Sequence, residues 1–476
     1  MTKDKTILSG VKWTGIQFVL DFVFRFSIRF LLAKLLVPDE FGLVGMCTIF
    51  IAVAGAASEL GMSAALIQKK EDNEAEVMYS TAFWTGLAWG LGIYLIMAIG
   101  VAPMAALFYE EPLLNILIPV LSLGILIKPF SLIHTVILTR AMDFKSLAKI
   151  LNSCSLVAGV FSLIAAYFLN FGVWALVSNM VLSVGLTLPL LFYKTKWKPK
   201  FEWNKLHFKK IFGFGAYSSG TVIFSTLTYN IDNLMIGKLL GSSSLGAYTL
   251  SFSLTEQFRQ SISGVLNKVM YPVFGKNQDN KEKLKSYFLN IININSIVMY
   301  PIMTFLFLFA ETIVIGFFGE KWRESIIPLQ ILSIAMMVHL LVNSFASIIR
   351  ALGKPKLEMK IIMGLTVFVL IPCLYFGILN YGLIGASCAI LINKIVLVIV
   401  AIIVLRLEIG VNIKNIFDQV KGSLISVFFT VIFVIVSKTY INENSLFLFS
   451  IFFISYFSLI YFIENKNIKK LISYIK

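Results

Sequence analysis

The chain has 476 residues, of which 58% are hydrophobic and only 14% charged, and its mean hydropathy is +0.86. A soluble protein carries about 25% charged residues, so the composition excludes a soluble fold and implies an all-α, polytopic membrane protein. The formal net charge is +16. Basic cytoplasmic loops account for most of that excess, and no soluble domain exists to carry nucleic-acid binding.

Apolar windows of about 17–25 residues mark membrane helices. Fourteen are expected, at roughly 10–36, 41–66, 78–102, 113–138, 147–169, 173–193, 211–238, 245–271, 287–310, 326–349, 358–379, 383–405, 422–438 and 445–463. The N-terminal MTKDKTILSG is not a convincing cleavable signal, because the apolar stretch after it is too long, carries charges and lacks a small-residue cleavage site. Helix 1 is therefore expected in the mature protein.

Helix 1 is apolar enough to span a bilayer yet contains Asp21, Arg25 and Arg29, which share one helical stripe with Gln17. Phe18, Phe22, Phe26 and Phe30 form another stripe. A charge at the centre of a membrane helix costs about 2.5–3.5 kcal/mol, whereas each large apolar residue returns only about 0.3–0.6 kcal/mol. The helix is stable only if its charged stripe faces protein or water. Two readings fit: an Asp21–Arg25 pair that tethers helix 1 to a neighbour, or a cationic cavity wall. Arg29 has no partner within its own helix under either.

Further along, Glu59 stands near the inner end of helix 2, as a gate or a cap at a break. Lys128 in helix 4 and Lys394 in helix 12 either line a cavity or snorkel to an interface. His134 and His339 titrate near neutral pH or make structural hydrogen bonds. In helix 7, Ser218, Thr221, Ser225, Thr228 and Asp232 follow steps of three and four, giving a hydroxyl face that ends in a carboxylate. Interhelical hydrogen bonding explains several of the hydroxyls; Asp232 is harder to dismiss. Helix 8 carries Glu256, Arg259 and Gln260, read equally as an ion pair one turn long or as cavity groups. Pro119 and Pro129 are expected to interrupt helix 4, Pro301 helix 9 and Pro372 helix 11. Cys47, Cys154, Cys373 and Cys388 lack metal-ligand spacing and read as small core residues.

Loop charges fix an orientation. With the N-terminus inside, the inner segments (the N-terminus, 67–77, 139–149, 194–210, 272–286, 350–360, 406–421 and 464–476) hold twenty-nine Lys and Arg; the outer ones hold Lys238, Lys321, Arg323 and Lys438. Both termini are expected in the cytoplasm. The basic segment 194–210 reads as a linker whose lysines, Trp197 and Trp203 meet anionic lipid headgroups.

The sequence also repeats. Lys34-Leu35-Leu36 with Phe41-Gly42 recurs as Lys238-Leu239-Leu240 with Leu245-Gly246, Arg140-Ala141 as Arg350-Ala351, and Leu169-Asn170-Phe171-Gly172 as Leu379-Asn380-Tyr381-Gly382. The order predicts an N-terminal six-helix bundle (1–193), a linker (194–210), a C-terminal six-helix bundle (211–405) and a tail with helices 13 and 14 (406–476). An even number of helices per repeat puts the pseudo-two-fold axis along the membrane normal. No phosphate-cradling loop, zinc-protease helix or nucleophile elbow is present, so no enzyme and no cofactor is expected.

The runs KLLVPDEFGLVGM, SELGMSAALIQKK and YNIDNLMIGKLLGSSSLGAYTLS resemble the polysaccharide transporter family, the O-antigen and exopolysaccharide flippases of the multidrug/oligosaccharidyl-lipid/polysaccharide exporter superfamily. The resemblance spans essentially the whole chain. It implies two bundles around a central cavity in a bacterial inner membrane. It also implies that an undecaprenyl-pyrophosphate-linked oligosaccharide crosses from inner to outer leaflet by alternating access coupled to an ion gradient. Polysaccharide polymerases and glycosyltransferases are the implied partners in biosynthesis. The expected cavity set is Gln17, Asp21, Arg25, Arg29, Lys128, Thr228, Asp232, Glu256, Arg259 and Lys394, with Asp21, Asp232 or Glu256 coupling a proton or sodium ion. Competing readings are a lipid II flippase, a cation-drug antiporter and, from another class, a membrane glycan polymerase or ligase, against which the short outer loops argue.

Overall fold

The computed structural model describes residues 20, 23–59, 62–68, 75–209, 223–440 and 445–464. Gln17, Asp21, Phe18, Phe22, Ser218 and Thr221 lie outside them, as does the side chain of Glu59. The described residues are nearly all helical and include no strand. Among them, nine stretches are long and apolar enough to cross a membrane. The chain is a polytopic all-α membrane protein. It divides into two compact units, Met1–Thr249 and Leu250–Lys476.

The first unit contains α1 (23–35), α2 (Pro38–Glu59), α3 (Glu76–Tyr109), α4 (Leu114–Arg140), α5 (Phe144–Tyr167), α6 (Val173–Thr195) and α7 (223–240). A short helix, Met62–Gln68, follows α2. Met62, Leu66, Met78, Ala82, Phe83, Ile133 and Val136 form a core beneath α3 and α4. Ile28 of α1 fills the place of a side chain at Gly159 of α5. The Asp143 carboxylate caps α5 by accepting from the Ser146 amide at 3.0 Å, satisfying a helix-end donor.

Local chain chemistry sets the breaks. The run Ile231–Lys276 turns at Gly241, where φ is 83°. Only glycine adopts that backbone without strain, so α7 ends there and α8 (242–276) begins. Gly172 and Gly382 have φ/ψ of 55°/−130° and 56°/−135°, a matching turn at the positions the repeat pairs. A π-helical turn, Ile96–Val101, precedes Pro103, and another, Thr366–Leu370, precedes Pro372; the wider turn accommodates the missing amide. The other prolines depart from expectation. Pro119 and Pro129 lie inside the continuous α4, and Pro301 lies inside a continuous helix, Lys281–Leu308. At Pro129 the partner is small: its ring packs 3.4–3.6 Å from where side chains would begin at Gly86 and Gly90.

The segment after α6 is a strap bound along α3. Trp84 donates its indole N–H to the Lys200 carbonyl at 2.8 Å, while the Lys200 amide donates to Ser80 Oγ at 3.2 Å. The Asn204 amide reaches Thr81 Oγ1 at 3.1 Å, and the Trp203 indole reaches Thr85 Oγ1 at 3.2 Å. Ser80, Thr81, Trp84 and Thr85 occupy one face of α3. Phe201 stacks on Trp84 with ring centroids 4.8 Å apart, and Lys200 pairs with Glu76. Trp197, read from sequence as a headgroup contact, is half-buried against Tyr79, Phe83 and His134.

The second unit contains most of α8, then α9 (Lys281–Leu308), α10 (Glu320–Ala351), α11 (355–381), α12 (383–409), α13 (Ile413–Tyr440) and α14 (Ser445–Ile463). The thirteenth helix begins earlier than the apolar window 422–438, because its first turns are polar. Its interior stripe is polar too. Asn293 of α9 donates to the Gln419 carbonyl at 2.9 Å, and Ser296 and Ser423 are 3.1 Å apart. The Tyr456 hydroxyl of α14 donates to the Ile297 carbonyl at 2.9 Å. These bonds and the ring cluster of Phe305, Phe309, Phe449, Phe452 and Phe453 fix α13 and α14 on α9.

Each strap bond contributes about 1 kcal/mol. Removing two acceptors with Ser80→Ala and Thr81→Val should raise the rate of limited tryptic cleavage after Lys196 and Lys200 by about ten- to thirty-fold. Unchanged cleavage would show that the strap is held some other way.

Candidate site for an anionic substrate and its coupling ion

In the first unit the cationic stripe of α1 has a graded environment. Arg25 and Arg29 are exposed, whereas Leu32 and Leu36, further along the same side, are 2% and 4% exposed. The stripe is therefore open at mid-helix and packed at its C-terminal end. Phe26 and Phe30 on another face have ring centroids 5.9 Å apart, as their spacing predicts.

Lys128 lines a narrow crevice, with room for about one water (~10 Å³), among α2, α3 and α4, with Ser58, Gly86, Gly90 and Pro129. Its ammonium approaches the Gly55 carbonyl at 3.4 Å, and Trp89 donates to the Ala57 carbonyl at 3.0 Å. Both donors serve the C-terminal end of α2, where carbonyls lack helical partners and the helix dipole favours a cation. Lys128 thus anchors a helix end as well as lining a crevice.

Asp232 is 5% exposed. It accepts from the Tyr248 hydroxyl at 2.6 Å and from the Asn233 amide at 2.9 Å, tying α7 to the start of α8. Ser225 and Thr228 are half-buried on α7. His134 is fully buried and pairs through Nδ1 with Thr195, a structural bond between α4 and α6.

The second unit assembles the densest polar cluster. Arg259 forks onto Glu256, its Nε donating to Oε2 at 2.7 Å and its Nη2 donating to Oε1. The side chains are 17% and 14% exposed. Gln260 donates to Glu256 at 3.0 Å, and Arg259 Nη1 donates to Asn343 Oδ1 at 2.8 Å. Lys394 of α12 acts electrostatically on both Glu256 and His339. The buried atoms His339 Nδ1 and Asn393 Oδ1 have no hydrogen-bond partner among the described residues. Counting Glu256, Arg259 and Lys394, the cluster is net positive.

Asn343 sits where α10 breaks. The helix Ile326–Leu340 stops, residues 341–344 form a turn, and helix resumes at Phe345–Ala351. Through the turn the amides reach back three residues: Val342 to the His339 carbonyl at 3.1 Å and Phe345 to the Val342 carbonyl at 2.9 Å. Such a local unwinding inside a membrane helix is tolerated where protein or water meets the freed backbone. Sequence reading found Glu256, Arg259 and Lys394 but not Asn343. The available signal was His339 and Asn343 one turn apart in an otherwise apolar run.

Charges held inside apolar helices beside a helix break fit the interior of a membrane transporter. The chain belongs to the polysaccharide biosynthesis protein family, which matches residues 31–327, and its members are membrane transporters rather than enzymes. It is 26% identical over 355 residues to the teichuronic acid biosynthesis protein TuaB of Bacillus subtilis (strain 168), covering 74% of this chain and 73% of that one. It is 26% identical over 396 residues to the lipopolysaccharide biosynthesis protein WzxC of Escherichia coli (strain K12), covering 83% and 79%. Among solved structures, the lipid II flippase MurJ superposes with a TM-score of 0.74 at 14% identity, over 97% of this chain and 100% of that one. A multidrug resistance MATE family transporter superposes with a TM-score of 0.68 at 18% identity, over 81% and 94%.

Removing one partner from a buried charge pair costs about 3–5 kcal/mol, because the other is left uncompensated. Arg259→Ala should therefore lower thermal stability in detergent by that amount, while the double change Glu256→Gln with Arg259→Gln should recover most of it. A double mutant as unstable as the single would show that the pair is not what holds this cluster.

Proposed function

We propose that this chain is a flippase of the bacterial inner membrane, with both termini in the cytoplasm. It moves undecaprenyl-diphosphate-linked glycan repeat units from the inner to the outer leaflet by alternating access. The observation that carries the reading is the forked, net-positive Glu256–Arg259–Asn343 cluster with Lys394, set at a helix break inside the membrane. A diphosphate is the one part of such a lipid that demands positive charge, and a guanidinium meets it with paired, charge-assisted hydrogen bonds. Arg25 and Arg29 supply the same chemistry from α1. Amide and hydroxyl groups, including Gln17 and Thr228, suit sugars. The relatives' roles in making teichuronic acid and lipopolysaccharide support a glycan cargo. A cation-drug antiporter would not place arginines here.

The coupling ion enters through a carboxylate, and Glu256 is better placed than Asp232; Asp21 lies outside the described residues. Ionised, it occupies the Arg259 fork. Protonated, it loses the charge that holds the fork, and the guanidinium becomes available to a phosphate. Proton and substrate binding are then linked through one side chain. Asp232 is tied to Tyr248 and serves the α7–α8 junction.

Three experiments test this. Arg25→Ala with Arg29→Ala should abolish surface glycan at normal membrane levels of the protein; normal export by the double variant would overturn the α1 assignment. In liposomes, Glu256→Gln should leave downhill flipping intact but remove its acceleration by a proton gradient, and a variant that still responds to the gradient would exclude Glu256 as the coupling group. Complementation of a strain lacking its lipid II flippase, rather than one lacking glycan export, would transfer the reading to a peptidoglycan precursor.

A further inference from the structure

Within the first unit, the N-terminal end of α2 crosses residues 242–249 at backbone contact. A side chain begun at Gly42 would lie 1.7 Å from the Ser242 carbonyl oxygen, and one begun at Gly246 would lie 1.8 Å from the Pro38 carbonyl oxygen. These contacts are reciprocal. Gly42 and Gly246 are 204 residues apart, and so are Pro38 and Ser242, the offset that relates Lys34 to Lys238 in the repeat. A contact in which each element touches the other through the same pair of positions lies on the two-fold axis relating them. Two glycines and two carbonyls meet there, so nothing separates the backbones.

The surroundings seal the same place. Beside Gly237 are Tyr109, Leu245 and Met46, and beside Gly45 are Leu245 and Thr249. Met46, Leu245 and Tyr248 are fully buried. Around this apolar plug the charges are unequal. Lys238 pairs with Glu110 at 2.9 Å and lies 5.4 Å from the centroid of the Phe108 ring. Ser242 Oγ is within reach of two carboxylates, Asp39 and Glu111. The α1–α4 side thus offers acids, and the α7–α8 turn offers a cation and a hydroxyl. Lys238 holds the Glu110 carboxyl below its usual range by hydrogen bonding and charge.

We propose that this crossing is a closure of the transport path at the end opposite the basic loops, with Lys238–Glu110 as its clasp. Leu32 and Leu36, at the packed end of α1, lie on the helix side that carries Arg25 and Arg29. Release of a headgroup past this end requires Gly42 to part from Ser242 and Gly246 from Pro38 together, because the contacts share one axis. The clasp holds from one side only, so loss of a single ion pair loosens both contacts. The proposal rests on the transport reading for its meaning, but its test reads access separately from export.

The reporter is Met46→Cys, in a chain whose four native cysteines are replaced by Ala, labelled in intact cells with a membrane-impermeant maleimide. Labelling should be slow in the parent. Lys238→Glu should speed it at least five-fold, and Lys238→Glu with Glu110→Lys should return it to the parent rate. Gly246→Ala, whose new Cβ cannot coexist with the Pro38 carbonyl, should speed it as well. Gly92→Ala, with no atom within 4 Å, should not. Equal labelling in the parent, Lys238→Glu and Gly246→Ala, at equal protein levels, overturns the closure. The expected labelling response, together with unchanged surface glycan in cells from which this chain is deleted, supports the closure and removes the flippase reading instead.

Discussion

A charge inside hydrocarbon must have a partner, and much of this chain's architecture follows from that demand. Arg259 is held by Glu256 and Asn343, Lys128 by a helix-end carbonyl, and Asp232 by a tyrosine hydroxyl and an amide. Each partner is structural, and each costs something in regular structure. Asn343 comes from a turn inside α10, and the Gly55 carbonyl comes from the terminal turns of α2. The polar interior and the broken helices are the same feature seen from side chain and from backbone. The Glu256–Arg259 fork is the tightest such pairing described, with two parallel bonds between one guanidinium and one carboxylate.

The membrane class and the gaps between apolar windows in which Gly241 and Gly382 turn the chain were legible in the sequence, because each depends on local chemistry, chiefly apolar length. The fork within α8 was legible for the same reason, since three residues make one turn. The prolines misled. Pro119, Pro129 and Pro301 lie within unbroken helices because neighbours, such as Gly86 and Gly90 against Pro129, make room that only packing reveals. Asn343 was invisible because its importance comes from a residue 84 positions away, and the strap was misread because its partners on α3 are more than 110 positions earlier.

The repeat has been kept in the backbone and abandoned in the side chains. Gly172 and Gly382 turn alike, and Lys238, the counterpart of Lys34, pairs with Glu110. Arg25 and Arg29 fall against Tyr229 and Asn233 at the same offset. Duplication supplied two equivalent frames. At that offset the cations of α1 and the hydroxyls Ser225 and Thr228 of α7 have no counterparts of their own kind.

The strap on α3 changes where the chain can be divided. By composition, 194–210 is a connector belonging to neither repeat. By contacts, everything up to Asn204 is fastened to the first repeat, backbone to side chain, and is part of its surface. A hybrid made by joining the front of one relative to the back of another would therefore fail if cut at the end of α6, since the borrowed strap would meet a foreign α3. The natural joint lies after Asn204, and the first repeat is correspondingly larger than its helices suggest.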